Sequence, residues 1–160
     1  MTALLAGAGI ADPAPLVGWL WDEQPRANLW RRPIPGMLEL ARELAARGVT
    51  VGVLSNSEGK LAELFVEIGI ADPFAAIIDS GVVGIEKPDP RIFAHARAAL
   101  GGGDAIHIGD SWPADIAGAR AAGWRAIWFG RRVGPVDDPQ IAVARDAAET
   151  RAALARWGIL

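Results

Sequence analysis

The segment "GDSWPAD" (109–115) puts two carboxylates, Asp110 and Asp115, just past a short apolar run, "AIHI" (105–108). Paired carboxylates at a strand end are hard oxygen ligands that suit Mg2+, which keeps several waters and needs few protein ligands. The same residues also suit the start of a helix. Asp110 or Ser111 could cap it, and Asp115 would sit in its first turn, where the helix dipole favours acid. On these residues alone both readings stay open.

Two further segments carry groups that act on phosphate. Lys87 lies in "GIEKPDPRIF" (84–93), in a proline-flanked turn that leads into a helix. A compact ammonium there could hold a phosphoryl oxygen and offset clustered carboxylates, and its ordinary alternative is a solvated surface lysine. Of the 16 basic residues, all are arginine except Lys60 and Lys87. Lysine at a special turn in so arginine-rich a chain points to a wanted point charge. "VLSNS" (53–57) carries Ser55 and Asn56, whose polar groups and backbone N–H could bind phosphate oxygens. Serine and asparagine also serve in ordinary turns.

The elements that must position these groups alternate. Apolar spacing predicts helices over 35–48, 59–70, 89–100 and 114–123, with short apolar strands over 49–57, 75–81, 105–111 and 125–130. Residues 139–158 read as helix-rich. Short continuous strands alternating with helices imply an α/β fold, a parallel sheet with helices on both faces. In such sheets ligands bind beyond the carboxyl ends of the strands. Ser55-Asn56, Asp79-Ser80 and Asp110-Ser111 would therefore gather on one rim.

Composition narrows the function. The chain has 160 residues, half of them apolar, enough for one domain with a real core. A net charge of −3 argues against a nucleic-acid partner or a membrane surface. The absence of cysteine excludes disulfides and thiolate chemistry, and with only His95 and His107 a multi-histidine metal site is not expected. No Lys or Arg precedes Arg26 and no apolar run approaches about 20 residues, so a soluble, cytoplasmic protein is expected.

In their order and intervals, "VLSNS", "GVVGIEKPDPRIF" and "IHIGDSWPADIAGARAAG" resemble the haloacid dehalogenase-like (HAD) hydrolase superfamily, over residues 33–130. The resemblance implies a Rossmann-like sheet and Mg2+-dependent hydrolysis of a small phosphorylated metabolite. It implies that Ser55, with Asn56, binds phosphate. It implies that Lys87 stabilises a phosphoaspartyl intermediate, that Asp110 is the catalytic Mg2+ ligand, and that Asp115 supports or joins it.

The family's first motif, an Asp-x-Asp that supplies the nucleophile and the general acid/base, has no match. The acids of residues 1–50 are Asp12, Asp22, Glu23, Glu39 and Glu43. Asp22-Glu23 follows an apolar run but has neither the spacing nor the turn. Residues 1–32 instead resemble the end of a helical cap, with Trp19, Trp21, Leu29 and Trp30 as its apolar positions, and 33–160 the α/β core without its first strand. Two functions follow: a phosphatase that is truncated and inactive as this chain, or a non-catalytic binding or regulatory domain. A dehalogenase is a weaker third, because the paired aspartates favour the phosphatase branch. Without the first strand, the strands over 49–57 and 105–111 are expected to close up and pair directly, about 4.8 Å apart. The alternatives are that residues 15–21 fill the slot or that a second chain lends a strand.

Overall fold

The computed structural model describes residues 2–27, 31–131 and 133–160. The chain divides into two compact units, Met1–Arg32 and Pro33–Leu160. The first holds α1 (Thr2–Gly7) and α2 (Ala14–Ala27). Residues 15–21 are thus helical and do not form a strand. Trp19 is exposed; the Trp21 side chain, Leu29 and Trp30 lie outside the described residues.

The second unit runs α3 (Met37–Ala46), β1 (Gly52–Ser55), α4 (Leu61–Glu67), β2 (Ala76–Asp79), α5 (Ser80–Val83), α6 (Pro90–Ala99) and β3 (Ile106–Gly109). A π-helical turn (Trp112–Ala117) then leads into α7 (Gly118–Ala121), β4 (Arg125–Phe129), β5 (Ile141–Ala144) and α8 (Ala147–Arg156). Among the described residues, no helix is long and apolar enough to cross a membrane.

Local chemistry explains the helices. Leu40, Ala41 and Leu44 recur at helical spacing in α3 and are buried. Asp89 caps α6 by accepting the Arg91 N–H at 2.9 Å, with Pro90 in the first turn. Asp146 caps α8 through the Glu149 N–H at 2.8 Å. In β4 successive residues serve opposite faces, as strand geometry requires. Ala126 packs with Ile92, Phe93, Ile116 and Trp124. Ile127 packs with Leu40, Leu44, Ala153 and Leu154. Helices therefore cover both faces, as expected of a Rossmann-like α/β core.

Two expectations are corrected. The region 139–158 contains a strand, β5, which pairs in parallel with β4 from Ala126↔Ile141 to Phe129↔Ala144. Its four apolar residues are too few for periodicity to tell strand from helix, and the free edge of β4 decides the matter.

The second correction concerns the sheet. Strands β1 and β2 form one parallel pair and β3, β4 and β5 a separate parallel sheet, with no ladder between β1 and β3. Direct closure is not observed. The helical layers span both sheets: Leu54 of β1, Ile78 of β2 and Ala126 of β4 share one cluster, and Val51, just before β1, shares the other with Ile106 and Ile108. Packing, not a ladder, sets the spacing. Ala75 N–H donates to Val51 O at 2.8 Å and Arg125 N–H to Ala105 O at 3.0 Å. By alternation, odd-numbered residues of β1 and β3 face β2 and β4. The peptide groups of Gly52, Leu54, Ile106 and Ile108 turn to the other edges.

Candidate active site

One of those edge groups has a partner. Leu54 O accepts a hydrogen bond from Lys87 Nζ at 2.9 Å. The lysine comes from the turn between α5 and α6, and its main chain is clamped from the end of β1. Asn56 Nδ2 donates to Lys87 O at 3.0 Å, and Lys87 N–H donates to Asn56 Oδ1 at 2.8 Å. The Lys87–Pro88 peptide is cis. With the backbone fixed, the side chain runs inward and is only 9% exposed. It is not a solvated surface lysine.

Its counter-charge is Asp115, whose Oδ1 lies 2.5 Å from Lys87 Nζ. The π-helical turn brings that carboxylate back beneath the end of β3, where its Oδ2 accepts the Ser111 N–H at 2.9 Å. Ser111 also caps the turn, its hydroxyl accepting the Ala114 N–H at 3.3 Å. Gly109 makes room, because a Cβ there would collide with the Asp115 side chain. A third donor is His107, with Nε2 at 2.9 Å from Asp115 Oδ1.

The protonation states follow from these contacts. Burial alone would raise the Asp115 pKa, but His107, Lys87 and the Ser111 N–H outweigh it and hold the carboxyl well below the usual carboxylate range. Burial, together with the nearby Lys87 charge, lowers the pKa of His107 more than Asp115 raises it. The imidazole is neutral and donates its Nε2–H to the carboxylate.

Among the sequence-predicted residues, Lys87, Asp115 and Asn56 come together, but Asn56 has both ends of its amide on the Lys87 backbone. Ser55 ends β1 on the same rim, and its hydroxyl has no hydrogen-bond partner among the described residues. Asp110 is exposed; its main-chain oxygen accepts the Trp128 Nε1–H at 3.1 Å, while its carboxylate stays free. Asp79 turns away from this cluster and organises the loop after β1, accepting N–H groups of Gly59, Leu61 and Gly81 at 2.9 to 3.0 Å.

The expected Mg2+ site meets an obstacle here. Asp115 already accepts three donors, which leaves Asp110 as the free carboxylate of the pair. Among the described residues no group of three His, Cys, Asp or Glu side chains could hold a metal ion. Asp110 is the carboxylate that could hold Mg2+, which takes one or two carboxylates and completes its octahedron with water and other oxygens.

His107 was missed in the sequence. The signal was there, a polar residue on an otherwise apolar strand, but such a residue reads first as a core histidine.

Comparison with known proteins gives consistent results. A family model described as haloacid dehalogenase-like hydrolase matches residues 10–123. The chain is 41% identical over 101 residues to the phosphoserine phosphatase of Thermus thermophilus, covering 61% of this chain and 40% of that protein. The chain spans about half or less of the length of curated relatives that it matches. A HAD phosphatase structure from Thermococcus onnurineus superposes with a TM-score of 0.70 at 26% identity, over 77% of this chain and 58% of that one. A 2-haloacid dehalogenase from Pseudomonas syringae superposes with a TM-score of 0.64 at 30% identity, over 79% and 54%.

Proposed function

This chain belongs to the haloacid dehalogenase-like hydrolase family, and from that premise we propose that its rim binds the phosphoryl group of a small phosphorylated metabolite in the cytoplasm. The carrying observation is the Lys87 ammonium. It is buried and fixed, and two of its three N–H bonds go to Leu54 O and Asp115 Oδ1. The third is available to an anion, and the Ser55 hydroxyl on the same rim is a second donor. In this reading Lys87 and Ser55 hold phosphoryl oxygens, Asn56 fixes the Lys87 backbone, and Asp115 anchors the ammonium. Asp110 contributes an exposed carboxylate. Asp110 is the residue that would hold Mg2+, and no step is assigned to the ion.

Residues 1–50 contain no Asp-x-Asp. Binding is therefore proposed without turnover: the Asp-x-Asp nucleophile is not among these residues, so the covalent route has no first step in them. That favours, as a second reading, a non-catalytic phosphate-binding domain. An in-frame Asp-x-Asp segment in the DNA upstream of Met1 would separate a hydrolase read in part from such a domain. The preference over a dehalogenase now rests on the phosphatase relatives, because only one of the paired aspartates is free.

The test uses the chain with Mg2+ and p-nitrophenyl phosphate, alongside calorimetric titration with inorganic phosphate. Expected are background release only, and phosphate binding that disappears in Lys87→Met. Robust turnover that vanishes in Asp22→Asn would overturn the reading, and so would phosphate binding that survives Lys87→Met.

A further inference from the structure

His107 is a buried polar side chain that the reading above does not use. We propose that it is a positioning residue: its Nε2–H, given to Asp115 Oδ1, fixes the carboxylate so that Lys87 presents its remaining N–H to a phosphoryl oxygen. The proposal rests on the phosphoryl-binding reading.

A carboxylate pinned at one oxygen can still swing about its last torsion. Ser111 N–H pins Asp115 Oδ2, and His107 pins Oδ1. Two points fix the plane, and Lys87 then meets its acceptor in one place. The charge argument runs the same way. Two neutral N–H donors spread the negative charge of Asp115, so the carboxylate cancels less of the Lys87 charge and leaves more of it to attract an anion.

His107 has little freedom of its own. It lies in β3, is 7% exposed, and meets the Phe93 ring edge-on at 5.7 Å and 87°. A core histidine with a purely structural role would find any acceptor adequate. This one bonds the carboxylate that holds the lysine.

The experiment compares wild type, His107→Phe and His107→Gln in the full chain. The glutamine amide nitrogen sits as many bonds from Cα as the imidazole Nε2 and can donate in its place. Two readouts are taken: calorimetric titration with inorganic phosphate, and 1H–15N spectra of the lysine ammonium groups. Only Lys60 and Lys87 contribute to the latter, and Lys60 is exposed. Wild type and His107→Gln should show a slowly exchanging Lys87 ammonium signal that His107→Phe loses. Phosphate affinity should fall about ten-fold in His107→Phe and stay within about three-fold of wild type in His107→Gln.

Unchanged phosphate affinity and an unchanged ammonium signal in His107→Phe overturn the proposal alone. So does a His107→Gln variant as impaired as His107→Phe, which would mark a structural role. No phosphate binding by wild type overturns the phosphoryl reading itself, and the proposal with it. Should His107→Phe not fold, long-range 1H–15N spectra of wild type still decide: an Nδ1–H tautomer at His107 overturns the proposal.

Discussion

Asp79 and Asp115 are the same residue type, buried to the same degree at 3% and 4% exposure, each at the carboxyl end of the sheets. Their partners differ. Asp79 accepts backbone N–H groups from Gly59, Leu61 and Gly81, with the neutral Ser57 hydroxyl beside it and no cation. Asp115 accepts one backbone N–H and two side chains, one of them a cation. A carboxylate satisfied by backbone closes loops. One satisfied by a lysine places a charge. Burial and depressed pKa are common to both, so neither property identifies the functional one; the chemical nature of the partner does.

Replacing each by alanine should separate them most widely. Asp115→Ala leaves the Lys87 ammonium buried without its counter-charge, which costs about 3–5 kcal/mol, and phosphate binding should vanish. Asp79→Ala leaves loop N–H groups without acceptors, at about 1–3 kcal/mol, and the folded fraction should keep its phosphate affinity. Urea denaturation and calorimetry at matched folded fraction check both. A loss of phosphate binding in Asp79→Ala with retention in Asp115→Ala would reverse the comparison.

Glycines beside the two carboxylates sharpen it at smaller cost. At Gly81 an added Cβ would lie 2.5 Å from Gly59 N and 2.6 Å from Glu58 C, so the loop backbone must move. At Gly109 it would strike the Asp115 side chain. Each alanine should destabilise by about 1–3 kcal/mol, as overpacking does. Only Gly109→Ala should weaken phosphate binding, because only there does the displaced group hold Lys87. Equal phosphate affinity in the two variants would mean that Asp115 tolerates displacement.

How much of this was legible in the sequence depended on distance along the chain. The alternation of elements and the Asp110 and Lys87 segments are local patterns and could be read directly. The role of Asp115 could not, because its partners lie 8 and 28 residues away and only the fold joins them. Asn56 read as a phosphate ligand because its neighbour Ser55 suits one; its use on the Lys87 backbone, 31 residues on, is a tertiary fact. Strand β5 was hidden because four apolar residues fit either period. The separation of β1 from β3 differs from the expectation because every repair weighed for the unpaired peptide edges supplied a strand. Packing of both helical layers across the two sheets, and the bond from Lys87 to Leu54 O, were not foreseen.

The smallest expected effect is on the pH dependence of stability, and it should also tell the two carboxylates apart. Both have folded pKa values below the ordinary one, so the stability each contributes is present above about pH 4 and is lost as pH falls through the folded values. Above that, only the Asp115 side carries a second titrating group. His107 has a folded pKa below its ordinary value of about 6.5. As pH falls past that point the unfolded chain takes up a proton that the folded one refuses, so stability declines by up to about 1.4 kcal/mol per pH unit. Thermal melts of wild type should therefore drop by a few degrees between about pH 7.5 and 5.5, and those of His107→Gln should drop less. Asp79→Asn should match wild type over that range and depart from it only below about pH 4. If His107→Gln melts with the same pH slope as wild type, the imidazole is not the group that gives the Asp115 side its earlier onset.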